Sequence, residues 1–501
     1  MSTALRQSSL FGADSDRAED SVAQSMDRPR LAERAAESKK STASKSANAA
    51  KTAADAKAST DPDYVWPLGV SALPPDAVQC GPAGAGDHAT IHQLLTAVFQ
   101  GPSRDDFFSA LEDPFYEPCD RLVVKRGTQV LSHIHLAQRV MQFGAESLPV
   151  TLPYRLATLP EYRGRGYAKR LLAGTDEAMA SDGSILGLLT TRIPHFFRPS
   201  GWVVCMRHSH AQVGARDLLA QLSAGGFGPH AADETLNIRP WRHVELPSLV
   251  RLYQEQTAGS YGPLERTEAY WRWLVNRQAG QRQGTDGIFV ALAGPKRFDF
   301  DFDDGAIVGY CVQRDDRILE LVASPQHPGV SERLLARACG EAIERDNHVV
   351  RLHLAPADPL WRVVEAAGGT SHRTESHQGE VTMVKLLDPQ AFLRRLLPVM
   401  HERATAAALR RPVELSLIVE DRAWRVTASR RSVKVAKAAP GRLWVKFSEA
   451  DFTRLLLGHL DVEAAAAEGR VQSSSRAALQ TAGILFPQLP LWHPPLDDLL
   501  V

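Results

Sequence analysis

A short segment between a predicted strand and a predicted helix has the composition of an anion-binding turn. A strand that turns directly into a helix points unpaired backbone N–H groups, and the positive end of the helix dipole, at one place. Gly164 and Gly166 would let a ligand approach this backbone closely, because glycine has no Cβ atom. Arg163 and Arg165 add positive charge that a phosphate can bind. The segment therefore predicts a site for a phosphate or pyrophosphate group.

The spacing of these residues distinguishes between kinds of nucleotide site. A dinucleotide-binding turn reads G-x-G-x-x-G and a P-loop reads G-x-x-x-x-G-K-[ST], and the segment fits neither pattern. Instead, Arg163, Gly166 and Ala168 form the pattern Arg-x-x-Gly-x-Ala, which resembles the acetyl-CoA signature of the GCN5-related N-acetyltransferase (GNAT) family. Residues 194–202 resemble that family's P-x-F-Y-x-x-x-G-W element. A basic turn in an ordinary strand–helix–strand unit is the alternative interpretation.

The resemblance implies acetyl-CoA as the co-substrate and assigns the residues that bind it. The pantetheine arm would pair with the backbone of the strand before the turn, at Leu156, Ala157 and Thr158. The pyrophosphate would lie on the turn and on the first helical residues, which are Arg163, Gly164, Arg165, Gly166, Tyr167, Ala168 and Lys169.

Helical and strand periodicities place this turn in a mixed sheet. Apolar residues spaced by three and four predict helices at residues 87–99 and 103–111. Alternating patterns predict a hairpin of strands at residues 121–125 and 129–138. A third strand, the turn, a helix and a buried strand at residues 184–191 follow. This is the element order of the acetyltransferase fold.

The same order recurs in the second half of the chain, from Arg239 onward. Here the corresponding turn, residues 324–329, lacks the Arg-x-x-Gly-x-Ala spacing and contains two prolines, which carry no N–H group. We therefore expect this half to have lost acyl-CoA binding.

From Pro389 onward the pattern changes to one that resembles the sterol-carrier-protein-like domain at the end of the enhanced intracellular survival (Eis) family. The predicted fold class is α/β (α+β), with tandem GNAT-type mixed sheets, flanking helices and a C-terminal sterol-carrier-like α+β domain. The predicted divisions are a disordered Ala-, Ser- and Lys-rich tail (1–65), an acetyl-CoA-binding GNAT domain (66–232), a degenerate GNAT-like domain (233–387) and the sterol-carrier-like domain (388–501).

Acetyl transfer to an amine needs a base for the amine and an acid for the departing thiolate. In the Eis family a tyrosine is the acid and the C-terminal carboxylate is the base. The resemblance places the acid at Phe197, which has no hydroxyl group, and the base at the carboxylate of Val501. Tyr154, Tyr162 and His195 are alternative acids, and each also has a purely structural interpretation.

Composition argues against several other classes of protein. The chain has 58 basic and 58 acidic residues, so no overall field favours nucleic acid or an anionic membrane. No apolar run approaches the roughly 20 residues of a membrane helix, and we expect a cytoplasmic protein.

The 5 cysteines of the chain form no C-x-x-C pair. The alternating pairs His133/His135 and His208/His210 and the acidic run 299–304 lack the further ligands of a metal site, so no metal is expected.

The resemblance implies an acetyl-CoA-dependent N-acetyltransferase that acts on a primary amine, either an aminoglycoside-like small molecule or a lysine side chain. The Eis resemblance implies a homo-oligomer, in particular a hexamer. An acyl-CoA-binding sensor or scaffold that has lost transfer chemistry is a second hypothesis, which the phenylalanine at position 197 allows. A lipid carrier based on the last domain is a third.

Overall fold

The computed structural model describes residues 78–205, 210–228, 236–280, 287–294, 306–372 and 379–497. The predicted tail (1–65), His208, the acidic run 299–304 and Val501 lie outside the described residues.

Residues 78–228 form the helices and the hairpin that the sequence predicts. Ser103 caps the second helix, where its Oγ accepts a hydrogen bond from the Asp106 N–H at 3.1 Å. The strands are β1 (Val78–Pro82), β2 (Arg121–Arg126), β3 (Gln129–Phe143), β4 (Glu146–Thr158), β5 (Leu186–Thr191), β6 (Val203–Val204) and β7 (His210–Gly214). The helices are α1 (His88–Phe99), α2 (Arg104–Ser109), α3 (Tyr167–Ser181), α4 (Pro194–Phe197) and α5 (Ala215–Ala224).

Residues 236–372 repeat this plan, as the recurrence in the sequence predicts. The strands are β8 (Leu236–Pro240), β9 (Tyr261–Leu264), β10 (Ile288–Ala293), β11 (Ile307–Arg314), β12 (Arg317–Ala323), β13 (Val349–His353) and β14 (Thr370–His372). The helices are α6 (Leu246–Thr257), α7 (Glu268–Gly280), α8 (Val330–Glu344) and α9 (Leu360–Ala366).

The remaining elements belong to the last part of the chain. The strands are β15 (Val381–Leu386), β16 (Val413–Val419), β17 (Arg422–Ala428), β18 (Val433–Lys437), β19 (Trp444–Phe447) and β20 (Gln472–Ser473). The helices are α10 (Pro389–Arg395), α11 (Leu397–Ala406), α12 (Glu449–Leu456), α13 (Val462–Ala467) and α14 (Arg476–Leu485).

The first sheet has the strand order β1-β2-β3-β4-β5-β15-β6, and β9 pairs with β3. Its β4 and β5 are parallel and are joined through helix α3, as a parallel pair requires. They pair only at Val150 with Leu186 and at Thr151 with Gly187. Beyond Thr151 the two strands separate, which leaves the edge of β4 that faces β5 without a partner strand. We call this gap the opening.

The second sheet has the order β14-β7-β13-β12-β11-β10-β8 and the same arrangement at its centre. Strands β12 and β13 are parallel and pair only at Arg317 with Arg351 and at Ile318 with Leu352. The two sheets are thus built on one plan, and the predicted tandem of mixed sheets is confirmed.

The two sheets exchange strands. Strand β15 comes after β14 of the second sheet in sequence but pairs with β5 of the first sheet. Strand β7 comes after β6 of the first sheet but pairs with β13 of the second sheet. Each strand occupies the corresponding position beside the last parallel strand. The divisions at residues 232 and 387 stay a prediction, and strands from both sides of residue 232 contribute to the first and to the second sheet.

The third sheet has the order β18-β17-β16-β19-β20, with one parallel pair between β16 and β19. Its apolar core is continuous with one side of the first sheet, because Phe143 of β3 and Phe392 of α10 lie in the same cluster with ring centroids 5.4 Å apart. In the described residues, no helix has both the length and the apolar character needed to cross a membrane.

Alternating residues of β2 face opposite sides of the first sheet, as expected for a strand. Leu122 and Val124 pack with Leu171 of α3, and we call this side the α3 face. Val123 packs with Ile91 of α1, and we call that side the α1 face.

Candidate functional site

The turn between β4 and α3, residues 163–168, has an open backbone. Gly164 and Gly166 have φ of +78° and +81°, in the left-handed region that favours glycine. Gly166 is the N-cap of α3, and no side chain caps the helix there. An ideal Cβ atom at either glycine would contact nothing within 4 Å. The N–H groups of the first helical turn therefore face open space, as an anion-binding turn requires. We call this turn the cradle.

Positive charge is concentrated around the cradle. Arg163, Arg165 and Lys169 are exposed. The Tyr162 Oη accepts a hydrogen bond from Arg126 Nη2 at 2.6 Å. The guanidinium carbons of Arg126 and Arg165 lie 5.4 and 5.0 Å from the centre of the Tyr162 ring. Tyr162 thus orients two arginines beside the helix N-terminus, which places it in the wall of the cradle.

The strand segment expected to hold the pantetheine arm borders the opening. Ala157 pairs with His133 of β3, and Thr158 pairs with Ser132, so the opposite edge of each residue faces away from β3. The register shifts just before this segment, where Arg155 adopts a φ of +53°. This extra residue is a β-bulge, which bends β4 at the point where it leaves β5. The structure thus places Leu156, Ala157 and Thr158 between the opening and the cradle.

A cluster of polar and aromatic residues covers the α1 face behind this segment. Arg121, His135 and Tyr154 lie directly opposite one another on β2, β3 and β4. The His135 ring lies 4.5 Å from the Tyr154 ring and 5.3 Å from the Tyr116 ring, measured between centroids. The Tyr116 Oη accepts a hydrogen bond from Arg121 Nε at 3.0 Å and is 2.7 Å from His88 Nε2.

The two histidines of β3 are neutral members of this cluster. His133 Nδ1 donates to the carbonyl oxygen of Arg155 at 3.1 Å, so its Nε2 accepts from Arg121 Nη1, also at 3.1 Å. Burial, followed by the positive charge of Arg121, lowers the pKa of both His133 and His135 well below the usual range. Among the described residues, no group of three or more ligating side chains could hold a metal ion.

The other residues singled out in the sequence lie in different places. Phe197 ends α4 with its ring buried among apolar side chains of the α3 face, 5.1 Å from the Phe196 ring. His195 is exposed on the same short helix. Of the three alternative acids, only Tyr154 lies on the strand that borders the opening and is half-buried on the α1 face. Arg121 and Tyr116 were not predicted as site residues, since a lone arginine at a strand end carries no local signal of burial.

The corresponding turn of the second unit, residues 324–329, has the same backbone conformation at its last glycine, but a side chain fills the space beside it. Gly329 has a φ of +85° and is the N-cap of α8, as Gly166 is of α3. However, an ideal Cβ atom at Gly329 would lie 2.9 Å from Cε1 of Phe227. The Phe227 ring therefore occupies the space that stays empty at the first turn.

The last described residues are anchored to β9 and to Arg266, which follows β9 in the chain. Trp492 N–H donates to the Tyr261 carbonyl oxygen at 2.9 Å. Asp497 is fully buried and accepts two hydrogen bonds from Arg266, at 2.9 and 2.7 Å. Arg266 also donates twice to Glu320, at 2.9 and 2.7 Å. A cation shared between two carboxylates thus fixes the chain at residue 497.

Comparisons with known proteins agree with this geometry. Residues 81–205 match the family model described as an acetyltransferase (GNAT) domain, which spans β1 to β6 and includes the cradle and the opening. A comparison with curated protein sequences gave no match.

Several solved structures share the overall fold at low sequence identity. A GCN5-related N-acetyltransferase from Anabaena variabilis is 16% identical, with a TM-score of 0.62 and coverage of 83% of this chain and 99% of that one. One from Kribbella flavida is 17% identical, with a TM-score of 0.61 and coverage of 84% and 98%. Eis1 from Mycobacterium abscessus is 15% identical, with a TM-score of 0.55 and coverage of 81% and 97%. The predicted α/β fold class with GNAT-type mixed sheets is therefore confirmed, whereas the sterol-carrier-like character of the last domain stays a prediction.

Proposed function

We propose that the first unit is an acetyl-CoA-dependent N-acetyltransferase whose acceptor is a primary amine. The observation that carries the proposal is the empty cradle at the N-terminus of α3, beside the opening between β4 and β5, within the region that matches a GNAT domain. The pyrophosphate would accept hydrogen bonds from the N–H groups at residues 164–169. The positive charges of Arg163, Arg165 and Lys169 would attract it to the same place. The pantetheine arm would pair with residues 156–158, with no metal ion required.

This arrangement brings the thioester to the α1 face through the opening. The arm runs along β4 from the cradle toward the bulge at Arg155, so the acetyl group would arrive beside Tyr154. An amine that approaches from the α1 face attacks the carbonyl carbon, a C–N bond forms, and the C–S bond breaks with its electron pair on sulfur. The thiolate then needs a proton, and we propose Tyr154 as its donor.

We expect Tyr154→Phe to lower kcat by about 10²-fold or more, the usual contribution of a general acid, without changing the affinity for acetyl-CoA. Thiol release from acetyl-CoA with a panel of amines measures kcat, and calorimetry measures binding. Tyr162→Phe is the matched control, because it removes a hydroxyl from the cradle wall. That control should affect mainly the KM for acetyl-CoA.

The same assay separates this proposal from an acyl-CoA sensor. Tight binding of acetyl-CoA with no thiol release for any amine would favour the sensor or scaffold. Equal kcat for Tyr154→Phe and the native protein would assign the acid elsewhere. Phe197→Tyr in the Tyr154→Phe background tests the family position: recovery of part of the lost turnover would show that residue 197, and not Tyr154, lies beside the thioester sulfur.

We also propose, from the Eis resemblance, that the α-carboxylate of Val501 is the general base. Four residues follow the anchored Asp497, and an extended chain of four residues spans at most about 14 Å. Burial, and to a smaller degree the charge of Asp497, raises the pKa of Tyr270 to about 12. Tyr270 packs in the same cluster as Tyr154, so the anchor at Asp497 lies near the proposed acid, and this supports the proposal.

Two glycines appended to the chain end would move this carboxylate by up to about 7 Å while keeping every side chain. We expect such a variant to bind acetyl-CoA normally and to lose most of its turnover. Val501→Leu keeps the carboxylate in place and serves as the control. Native turnover in the extended variant would mean that a side chain or bound water is the base.

A further inference from the structure

Arg121 differs from the other fully buried arginines of the described residues because it has no carboxylate partner. Its side chain is 0% exposed. Arg139 pairs with Asp113, and Arg266 pairs with two carboxylates. Arg121 instead donates to Tyr116 and His133, and its charge lies over the rings of Phe107 and Tyr116 at 5.0 and 5.3 Å.

One nitrogen of this guanidinium has no hydrogen-bond partner. Nη2 of Arg121 is buried and unpaired among the residues described, although Nε and Nη1 are both satisfied. A buried, uncompensated cation with an unused donor is strongly unfavourable, and folded proteins retain such groups mainly where a ligand completes them.

A second unsatisfied nitrogen belongs to the residue opposite Arg121 on the neighbouring strand. Nδ1 of His135 is also buried and without a partner in the described residues, and His135 lies directly opposite Arg121 in the β2–β3 pair. Side chains opposite one another in an antiparallel pair share a face with Cβ atoms about 5 Å apart. In the neutral tautomer that carries its proton on Nδ1, His135 would present an N–H group beside the Arg121 Nη2–H.

The two donors favour a carboxylate. A carboxylate has two oxygen atoms that can each accept one N–H, and its charge would balance Arg121. A polycation would instead meet the uncompensated positive charge of Arg121, and the nearby carboxylate of Asp113 is already bound to Arg139. Tyr116 and Tyr154, the two rings that flank His135, are only half-buried, so the acceptor would approach between them.

We propose that the acceptor is an amine that also carries a carboxylate group, and that Arg121 Nη2 and His135 Nδ1 bind this carboxylate. The proposal rests on the proposed acetyl-transfer function, since the thioester would reach the same face beside Tyr154. The acceptor would thus resemble an amino acid more than an aminoglycoside. His135 would position the carboxylate one strand away from the proposed acid.

The test compares ω-amino acids of two to six carbons with the corresponding amines that lack the carboxylate, and with a polycationic aminoglycoside. For the chain length that fits, kcat/KM should be about 10- to 100-fold higher for the amino acid, as expected for a charged hydrogen-bonded contact. Arg121→Met should abolish this preference and leave the affinity for acetyl-CoA unchanged. Arg104→Met, an exposed arginine on α2, is the matched control and should keep the preference.

His135→Phe provides a second variant in case Arg121→Met does not fold. It keeps an aromatic ring between the tyrosines and removes one donor, so it should reduce the preference by a smaller factor. The idea is overturned if amines without a carboxylate are the better acceptors, or if Arg121→Met keeps the native preference.

A binding measurement keeps this proposal separable from acetyl transfer itself. Calorimetry with 6-aminohexanoate in the presence of coenzyme A should detect binding in the native protein and none in Arg121→Met. Such binding without any acetyl transfer would support the carboxylate site and refute the proposed reaction. No binding by any of the amino acids, together with transfer to simple amines, would refute the carboxylate site alone.

Discussion

Gly166→Asp should weaken the binding of acetyl-CoA by about 100-fold or more, equivalent to at least about 2.7 kcal/mol, while the protein stays folded. The Cβ atom of an aspartate here would have no protein atom within 4 Å. The aspartate carboxylate would instead enter the volume proposed for the pyrophosphate. Two negative charges about 4 Å apart, here the carboxylate and the pyrophosphate, repel each other by several kcal/mol at a protein surface. Calorimetry with acetyl-CoA measures the loss.

Two variants separate charge from backbone strain. Gly166→Asn has the same shape as the aspartate and tolerates a positive φ, so its loss should be far smaller. Gly183→Asp introduces the same charge at a glycine with a φ of +74° and equally open surroundings, at the other end of α3, and should leave the affinity unchanged. Native affinity in Gly166→Asp would show that the cradle does not bind the cofactor.

Arg266→Leu should lower the free energy of unfolding by about 3–5 kcal/mol, the usual result of removing one partner from a buried ion pair. The change leaves Asp497 and Glu320 buried with no cation between them, and Glu320 keeps only the hydrogen bond from the Tyr310 hydroxyl at 2.6 Å. It also removes a guanidinium that lies 3.9 Å from the centre of the Tyr253 ring. Urea unfolding followed by tryptophan fluorescence measures the loss.

The neighbouring Arg272 is the matched control. It pairs with Glu268 at 2.7 Å, but both side chains are more than half exposed, and such surface pairs contribute about 0–1 kcal/mol. Arg272→Leu should therefore change stability little. A similar small change for Arg266→Leu would show that the last part of the chain is held by apolar packing rather than by this ion network.

The comparison of the two turns shows how one backbone can serve two purposes. Gly166 and Gly329 have nearly the same φ, and each caps a long helix that joins two parallel strands. The first turn is empty and surrounded by basic residues, whereas Phe227 covers the second. The missing motif predicted that the second turn does not bind acyl-CoA, but it gave no sign of Phe227, which lies about a hundred residues before Gly329 in the chain.

Local features of the molecule were determined by the sequence alone. Helix α3, the turn at Gly164 and Gly166, and the repeated order of elements followed from periodicity and from glycine positions, because these depend on interactions between near neighbours in the chain. The same local logic identified the residues proposed to bind acetyl-CoA. The acid could not be found in this way, since the family position holds Phe197 and the candidate Tyr154 is distinguished only by its place beside the opening.

Long-range features were decided by the tertiary structure. The exchange of β7 and β15 between sheets depends on which strand edges meet, and strand periodicity specifies only which side of a strand is buried. Arg266 meets Glu320 and Asp497 across sequence separations of 54 and 231 residues. In the sequence, Arg121 is an ordinary arginine at the end of a predicted strand. In the folded chain, α1, α2 and β3 pack around it and exclude water and a counter-ion. A charged side chain indicates a binding or structural role when it is buried away from water, and burial is a property of the folded chain.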